Sequence, residues 1–162
     1  MAGYGTNEEF EAWLTAHGFI LPETAPEPAI LRQRGSDYVD GTYGGSLPGE
    51  PAGGIDQERA WPRIGATAFR KPIADDATPL RWVHASYHAA YHEALNPGSL
   101  LVSGTAAGAV KRRKVDVIEI EFFEGSGNTA ADATVRISAV EGLVAPFLIH
   151  GSAYGPAIWS IG

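Results

Sequence analysis

The feature that most constrains the fold is the stretch L-R-W-V-H-A-S-Y-H-A-A-Y-H-E-A-L, residues 80–95, which contains no glycine or proline. Thr78-Pro79 precedes it and Asn96-Pro97 follows it. Threonine is a good N-cap, proline suits the first helical position, and a later proline cannot continue a helix. We therefore predict a helix with Thr78 as its cap that ends at about Leu95. A helical wheel predicts its core stripe, made of Leu80, Val83, Tyr87, Tyr91 and Ala94.

The same helix carries three histidines at intervals of four residues: His84, His88 and His92. Neighbouring members of the series could share a metal ion, because side chains at i and i+4 lie side by side. All three cannot readily do so, since His84 and His92 are about 12 Å apart along the axis. Glu93 points to another side, and the H-E-x-x-H pattern of zinc proteases is absent. We favour the interpretation that the histidines lie at a helix–helix or subunit boundary, where protonation would make an assembly sensitive to acid.

Two further helices are predicted in the region before residue 41. Thr6 and Glu9 have the spacing of a capping box, and Gly18 is suited to end a helix in the left-handed conformation. The apolar stripe of this helix consists of Phe10, Trp13 and Leu14. A second helix is predicted from near Pro28 to Asp40, and Gly35 inside it weakens it by about 1 kcal/mol relative to alanine.

The chain between the second and third helices is rich in glycine and proline. Residues 41–54, G-T-Y-G-G-S-L-P-G-E-P-A-G-G, are predicted to form a loop. This loop is either flexible and exposed at the surface, or an arm that becomes ordered only when it contacts a neighbouring molecule. Trp61 precedes a proline, which favours an extended backbone, and it is predicted to anchor the end of this connection to the body of the protein.

A β-hairpin is predicted near residues 114–137. In V-D-V-I-E-I-E-F, residues 115–122, apolar and acidic side chains alternate, as they do in a half-buried strand. The sequence T-V-R-I, residues 134–137, is its candidate partner strand. The turn E-G-S-G-N-T-A-A-D lies between the two.

A short helix and a tail are predicted to follow. Ser138 and Glu141 have capping-box spacing at the start of this last helix. The fold class that results is mainly α, namely a small helical bundle with an appended β-hairpin. We predict one domain over residues 1–149 and an extended C-terminal tail over residues 150–162, which has no core-forming period but is rich in apolar side chains.

Composition excludes several classes of function. Cysteine is absent, which rules out disulfide frameworks, zinc–thiolate sites and cysteine nucleophiles. The net charge is −7, and the charged residues are unevenly distributed along the chain. Residues 1–60 hold ten acids and three bases, and residues 115–162 hold six acids and one base. The middle part, residues 61–114, is basic, with three acids and eight bases. An acidic chain is a poor candidate for coating nucleic acid, whereas a self-assembling protein could match the basic surface of one copy to the acidic surface of the next. A solvated surface with uneven charge is the simpler alternative.

The motifs of common active sites are also missing. The sequence has no glycine-rich phosphate loop with its lysine and no serine in a nucleophile elbow, so we expect neither catalysis nor a cofactor. It has no signal-peptide pattern at its start and no apolar run long enough to span a membrane. The basic run at residues 111–114 would suit phosphate contact or an acidic partner. The acids that follow it, and aromatics that are not interleaved with bases, argue against a continuous nucleic-acid platform.

Five blocks of sequence, taken in order, resemble a known family. They are Y-G-T-N-E-E-F-E-A-W-L-T-A-H-G, L-R-Q-R-G-S-D-Y-V-D-G-T-Y, A-W-P-R, K-V-D-V-I-E-I-E-F and V-E-G-L-V-A-P-F-L. In this order they resemble the head–tail connector, or adaptor, proteins of tailed bacteriophages and phage-like elements, many of which are labelled DnaT-like single-stranded-DNA-binding proteins. The resemblance covers most of residues 4–149. The chain departs from the family pattern in its histidine-rich third helix, its long loop and its aromatic tail.

The resemblance implies a structural function in the neck of a virion, after assembly in the host cytoplasm. Such an adaptor forms a homo-oligomeric, dodecameric ring that docks beneath the portal protein and supports the stopper or tail. Genomic DNA passes through its channel without sequence-specific binding, and neither catalysis nor a membrane is implied. On this interpretation the tail and the basic run are candidate interfaces. Their side chains are Tyr154, Ile158, Trp159, Ile161, Lys111, Arg112, Arg113 and Lys114.

Two alternative functions stay open at this point. A single-stranded-DNA-binding module predicts salt-sensitive DNA binding that weakens when Lys111, Arg112, Arg113 and Lys114 are neutralised. A metal-dependent enzyme built on His84, His88 and His92 predicts a stoichiometric transition metal.

Overall fold

The computed structural model of the chain describes residues 3–101 and 135–149. The predicted strand at 115–122, the basic run at 111–114 and the tail at 150–162 lie outside the described residues. Of the predicted partner strand, residues 135–137 are described, and they belong to neither a helix nor a strand.

Four α-helices make up most of the regular structure in the described ranges. They are α1 (Asn7–His17), α2 (Pro28–Tyr43), α3 (Leu80–Leu95) and α4 (Ser138–Val144). The predicted capping box of α1 is confirmed, because the Glu9 N–H donates to Thr6 Oγ1 at 3.1 Å and the Thr6 N–H donates to Glu9 Oε2 at 2.8 Å. Gly18 ends α1 with a φ of 67°, as its position predicted. The mainly α fold class is therefore confirmed.

Three predicted helix boundaries need correction. Helix α3 begins at Leu80 with Pro79 at the cap position, and no side chain caps it, so the prediction that Thr78 is the cap is wrong. The predicted capping box of α4 is also wrong, since Glu141 forms an ion pair with Arg136 at 2.9 Å instead. Helix α2 continues past Asp40, because a glycine inside a packed helix weakens it without breaking it, and the loop therefore starts later than residue 41.

Helices α2 and α3 pack against each other through small residues. Gly35 is buried in this contact, and a Cβ at its position would overlap the backbone oxygen of Ser86 and lie 2.7 Å from the backbone nitrogen of Ala90. The glycine that weakens α2 in isolation is thus the residue that lets the two helix backbones approach closely.

The predicted core stripe of α3 is partly wrong. Leu80 is 67% exposed, whereas Tyr87 and Ala94 are buried as expected. The residues of α3 that are completely buried include Trp82, Ala85, Ser86, Ala89, Ala90 and Glu93. Helix α3 contacts both α2 and α4, so it buries more than one face, and a single-stripe wheel does not describe such a helix.

Two apolar clusters form the core of the described residues. One centres on Trp61, Trp82 and Phe147, whose ring centroids lie 5.8–6.2 Å apart. The second contains α1 residues such as Phe10 packed on Tyr87 of α3. Trp61 is fully buried, which confirms that it anchors the loop to the body.

A buried polar junction around Asp40 joins the first cluster to the chain before α1. The carboxylate of Asp40 accepts hydrogen bonds from the Tyr4 hydroxyl at 2.8 Å and from Trp82 Nε1 at 3.0 Å. Burial, together with the neighbouring Asp40 carboxylate, raises the pKa of Tyr4 well above its ordinary value, so the phenol stays protonated and remains a donor. Arg59 also pairs with Asp40, at 3.3 Å.

Two short antiparallel strand pairs lie between α2 and α3. Strand β1 (Glu50–Pro51) pairs with β2 (Arg63–Ile64), and β3 (Thr67–Ala68) pairs with β4 (Lys71–Pro72). The mainly α fold therefore carries an appended hairpin at residues 67–72, whereas most of the hairpin predicted near 114–137 falls outside the described residues.

The glycine-rich loop is held by contacts within its own chain. The guanidinium of Arg63 donates to the carbonyls of Pro48 and Gly49 at 2.8 and 2.6 Å. The Ile149 N–H donates to Ser46 O at 2.8 Å. The segment lies largely at the surface, as predicted, but the expectation that it orders only against a neighbour is wrong, because hydrogen bonds within the chain hold it in place. No helix in the described ranges has the length and apolar character needed to cross a bilayer.

Candidate functional site

The tip of the β3–β4 hairpin has an unusual backbone. Ala68 pairs with Lys71, so Phe69 and Arg70 form a two-residue turn, and their φ values are 51° and 63°. Turns of this kind ordinarily contain asparagine or glycine, because a positive φ costs other residues about 1–2 kcal/mol each. Backbone strain of this size is found mainly at functional positions. Phe69 and Arg70 are therefore candidates for a binding site.

These side chains form an exposed aromatic and basic surface. Phe69 is 68% exposed as a residue, and the Arg81 guanidinium lies over its ring with Cζ 5.8 Å from the ring centroid. Arg70 and Lys71 are exposed beside it. We call these four residues, Phe69, Arg70, Lys71 and Arg81, the hairpin-tip patch. An exposed ring flanked by cations can stack on a planar apolar group while the cations pair with an anion.

The start of α3 adds to the positive character of the patch. Arg81 lies in the first turn of α3, which has no acidic residue and no capping side chain. The N-terminal end of a helix carries partial positive charge on its free N–H groups. Asp75 and Asp76 lie in the connecting segment, so residues 69–81 hold three bases and two acids. The patch is therefore only weakly cationic, and a ligand held there would bind with modest affinity.

The hairpin-tip patch was missed from the sequence. The pattern A-F-R-K at 68–71 does place an aromatic beside bases, but it is short, and Arg81 follows ten positions later. The folded hairpin brings the ring and Arg81 together. The turn conformation that exposes Phe69 departs from the residue preferences that predict such turns.

The histidines of α3 separate into two environments. His88 lies with its ring 4.7 Å from Trp13 and 5.9 Å from His17, which belongs to α1. His84 is also close to Trp13, at 6.3 Å. We call His17, His84 and His88, grouped around Trp13, the imidazole cluster. The expectation that the histidines lie at a helix–helix boundary is confirmed for His84 and His88, and the sequence did not identify His17 as their neighbour.

His92 is not part of the imidazole cluster. Its Nδ1 lies 3.1 Å from Ser99 Oγ. Within residues 3–101 and 135–149, no group of three histidine or carboxylate side chains is placed to hold a metal ion. His17 Nδ1 lies 2.8 Å from the Trp13 carbonyl oxygen, so this nitrogen carries a proton and donates it.

The surroundings of His84 and His88 disfavour the protonated form of these two side chains. Burial, and then the proximity of His17, lower the pKa of His84 below its ordinary value. Burial, followed by the proximity of His17 and His84, does the same to the pKa of His88. Since the folded pKa values are depressed, the unfolded chain takes up protons more readily. The contribution of these two histidines to stability is complete above the ordinary histidine pKa of about 6.5 and is lost as the pH falls from there through the lower pKa values of the folded protein.

We expect the protein to lose stability in mild acid through His84 and His88. Between about pH 7.5 and pH 5, the urea midpoint of the wild type should fall further than that of the His84→Gln/His88→Gln double variant, because glutamine does not titrate. Circular dichroism at both pH values measures the midpoints. The His92→Gln variant is the control and should keep the wild-type pH response. Equal losses in the wild type and the double variant would show that the cluster does not couple proton binding to folding.

Glu93 has a position that the sequence did not reveal. It was expected on a separate side of α3, but it is fully buried and forms an ion pair with Arg34 of α2 at 3.0 Å. Its carboxylate also accepts hydrogen bonds from the backbone N–H groups of Gly98 at 2.9 Å and Leu100 at 3.3 Å. Glu93 thus joins α2, α3 and the segment after α3, which is a structural arrangement rather than an open site.

The interface residues proposed from the sequence are not among the described ones. The basic residues Lys111, Arg112, Arg113 and Lys114 lie outside the described ranges, as do the apolar residues Tyr154, Ile158, Trp159 and Ile161. Their assignment as interface residues stays a prediction.

Comparison with known protein families matches almost the whole chain. The model of a family described as "Putative DnaT-like ssDNA binding protein" matches residues 2–159. The description names DNA binding and makes no mention of a head–tail connector. No curated protein and no solved structure matches the chain.

Proposed function

The chain belongs to this DnaT-like family, and on that premise we propose that it binds single-stranded DNA without sequence preference through the hairpin-tip patch. The observation that carries the proposal is the exposed Phe69 ring with the Arg81 guanidinium against it. Proteins that bind single strands combine aromatic platforms with cations that follow the phosphates. The hairpin-tip patch supplies both elements on a small scale.

The chemistry of the patch fits an unpaired base better than a duplex. In a duplex the base faces are covered by their neighbours, whereas an unpaired base can lie flat on Phe69. Arg70 and Lys71, next to the ring, would then contact the phosphates on either side. With few cations and two nearby carboxylates, we expect an affinity near the non-specific range of about 10⁻⁴ to 10⁻⁶ M.

Replacing Phe69 with alanine should weaken DNA binding about tenfold, because stacking on an aromatic side chain contributes about 1–3 kcal/mol per base. The affinity is measured by fluorescence anisotropy with a labelled oligothymidine at low salt. The Arg70→Ala/Lys71→Ala variant should bind more weakly and show a shallower dependence on salt, since fewer counterions are released.

The control for this experiment is Ile20→Ala, which removes another exposed apolar side chain, one that lies outside the hairpin-tip patch. It should bind DNA like the wild type. A flat titration of the wild type at low salt would disprove the proposal. Equal affinities of Phe69→Ala and wild type would show that DNA binds elsewhere on the chain.

We propose, as a second candidate function, a structural subunit of a head–tail connector ring that performs no catalysis and resides in the virion. It is favoured by two isoleucines in separate loops, Ile20 and Ile55, which are 82% and 99% exposed. Exposed apolar side chains on different surfaces suit a head-to-tail interface, in which two unlike surfaces of identical subunits meet. The uneven charge along the chain is compatible with such pairing.

The ring proposal and the DNA proposal are separated by sedimentation of the same samples. A connector subunit should sediment with its portal protein as a ring, and Ile55→Asp should abolish this association without affecting DNA binding. A protein that stays monomeric when mixed with the portal contradicts the ring proposal and leaves the DNA proposal intact.

A further inference from the structure

A groove of about 550 Å³ lies beside the hairpin-tip patch. Three parts of the chain line it: Pro48 of the loop, Thr67, Phe69 and Arg70 of the hairpin, and residues 145–149, which follow α4. Its volume is in the range of pockets that hold small organic groups, so it can take more than one side chain.

The walls of the groove are largely apolar and incompletely covered. Phe69 and Ile149, which line the groove from different parts of the chain, are 68% and 60% exposed. Pro146 and Leu148 are half-buried in the wall that follows α4. Apolar surfaces concentrated in a groove are energetically unfavourable in water unless something covers them.

The chain itself supplies a suitable occupant. Ile149, the last described residue, lines the groove, and its N–H is fixed to Ser46 O, so residues 150–162 start at the edge of the groove. This segment has no aspartate, glutamate, lysine or arginine, but it contains Tyr154, Ile158 and Trp159. At about 3.3 Å per residue, an extended chain carries Trp159 up to about 33 Å from Ile149, which is more than enough to return to the groove.

We propose that residues 150–162 fold back in the same molecule and place the Trp159 side chain in this groove. Attachment at Ile149 gives the segment a high effective concentration there, in the millimolar range for a short linker, which favours its own chain over a second copy. The indole would cover the Phe69 face that points into the groove. The consequence for DNA rests on the proposed function: because Phe69 and Arg70 belong to both sites, the docked segment and a DNA strand would compete.

The docking is tested by tryptophan fluorescence of the full-length protein without DNA. Trp13, Trp61 and Trp82 are buried, so subtracting the spectrum of Trp159→Phe from that of the wild type isolates the emission of Trp159. We expect this emission to be blue-shifted and protected from acrylamide, compared with a synthetic peptide of residues 150–162. In the Ile149→Ser variant, which alters one wall of the groove, acrylamide should reach the Trp159 indole as readily as in the peptide. In the Ile20→Ser variant the Trp159 indole should stay protected.

Three results would overturn the proposal. One is a Trp159 in the full-length protein that is quenched as readily as in the peptide. Another is protection that persists in Ile149→Ser, which would place the indole elsewhere. The third is protection that disappears on dilution, which would assign the groove to a second copy. A loss of DNA binding alone affects none of these readouts, so failure of the DNA proposal is distinguished from failure of this one.

Discussion

Replacing Gly35 with alanine is expected to lower the free energy of unfolding by about 2–3 kcal/mol, even though alanine is the better helix former. Alanine would stabilise α2 by about 1 kcal/mol in isolation. In the folded protein its Cβ would overlap the Ser86 oxygen and crowd the Ala90 nitrogen, both of which are backbone atoms of α3. Because backbone atoms cannot rotate away, the two helices must separate, and this loss of packing exceeds the gain in helix propensity.

Gly41 offers a matched control within the same helix. A Cβ there meets no atom within 4 Å, so Gly41→Ala should raise stability by about 0.5–1 kcal/mol through helix propensity alone. Urea denaturation followed by circular dichroism measures both variants. Opposite signs are the expected result. If both substitutions stabilise, α2 and α3 are not in the close contact described.

The same glycine shows how far sequence reasoning reached. Local sequence signals were sufficient to locate α1, α2 and α3, because such signals depend only on neighbouring residues in the sequence. They are the capping box at Thr6, the proline at Pro28 and the helix-ending Asn96-Pro97. Gly35 appeared only as a weak point, since its role depends on the backbone of another helix. The anchor role of Trp61 was predictable because it rests on two local facts, a large aromatic side chain and a following proline that favours an extended backbone.

The candidate site was harder to predict, for two physical reasons. Phe69 and Arg70 adopt positive φ values, which bulky residues rarely do, so turn preferences gave no indication of the tip. The imidazole cluster requires the approach of α1 to α3, and a wheel drawn for α3 alone grouped His92 with His84 and His88 instead of His17. In both cases the decisive neighbour comes from another element.

Replacing Glu93 with alanine is expected to cost about 3 kcal/mol of stability. The substitution removes a fully buried carboxylate that pairs with Arg34 and accepts from the N–H groups of Gly98 and Leu100. The substitution would leave three donors, the Arg34 guanidinium and these two N–H groups, without the acceptor that they share, and it would open a cavity at a fully buried position. Glu93→Gln keeps one side-chain oxygen as an acceptor but removes the charge, so its loss should be smaller than that of Glu93→Ala.

The ion pair between Arg136 and Glu141 is the matched control, because its length of 2.9 Å is close to the 3.0 Å of the pair between Arg34 and Glu93. The two pairs differ in burial, since the Glu93 side chain is fully covered and that of Glu141 is 40% exposed. Glu141→Ala should therefore change stability by no more than about 0.5–1 kcal/mol. Thermal and urea denaturation measure the difference. Similar losses in both variants would mean that burial does not set the contribution of Glu93. A large loss only in Glu93→Ala would show that the buried carboxylate contributes much more to stability than its exposed counterpart.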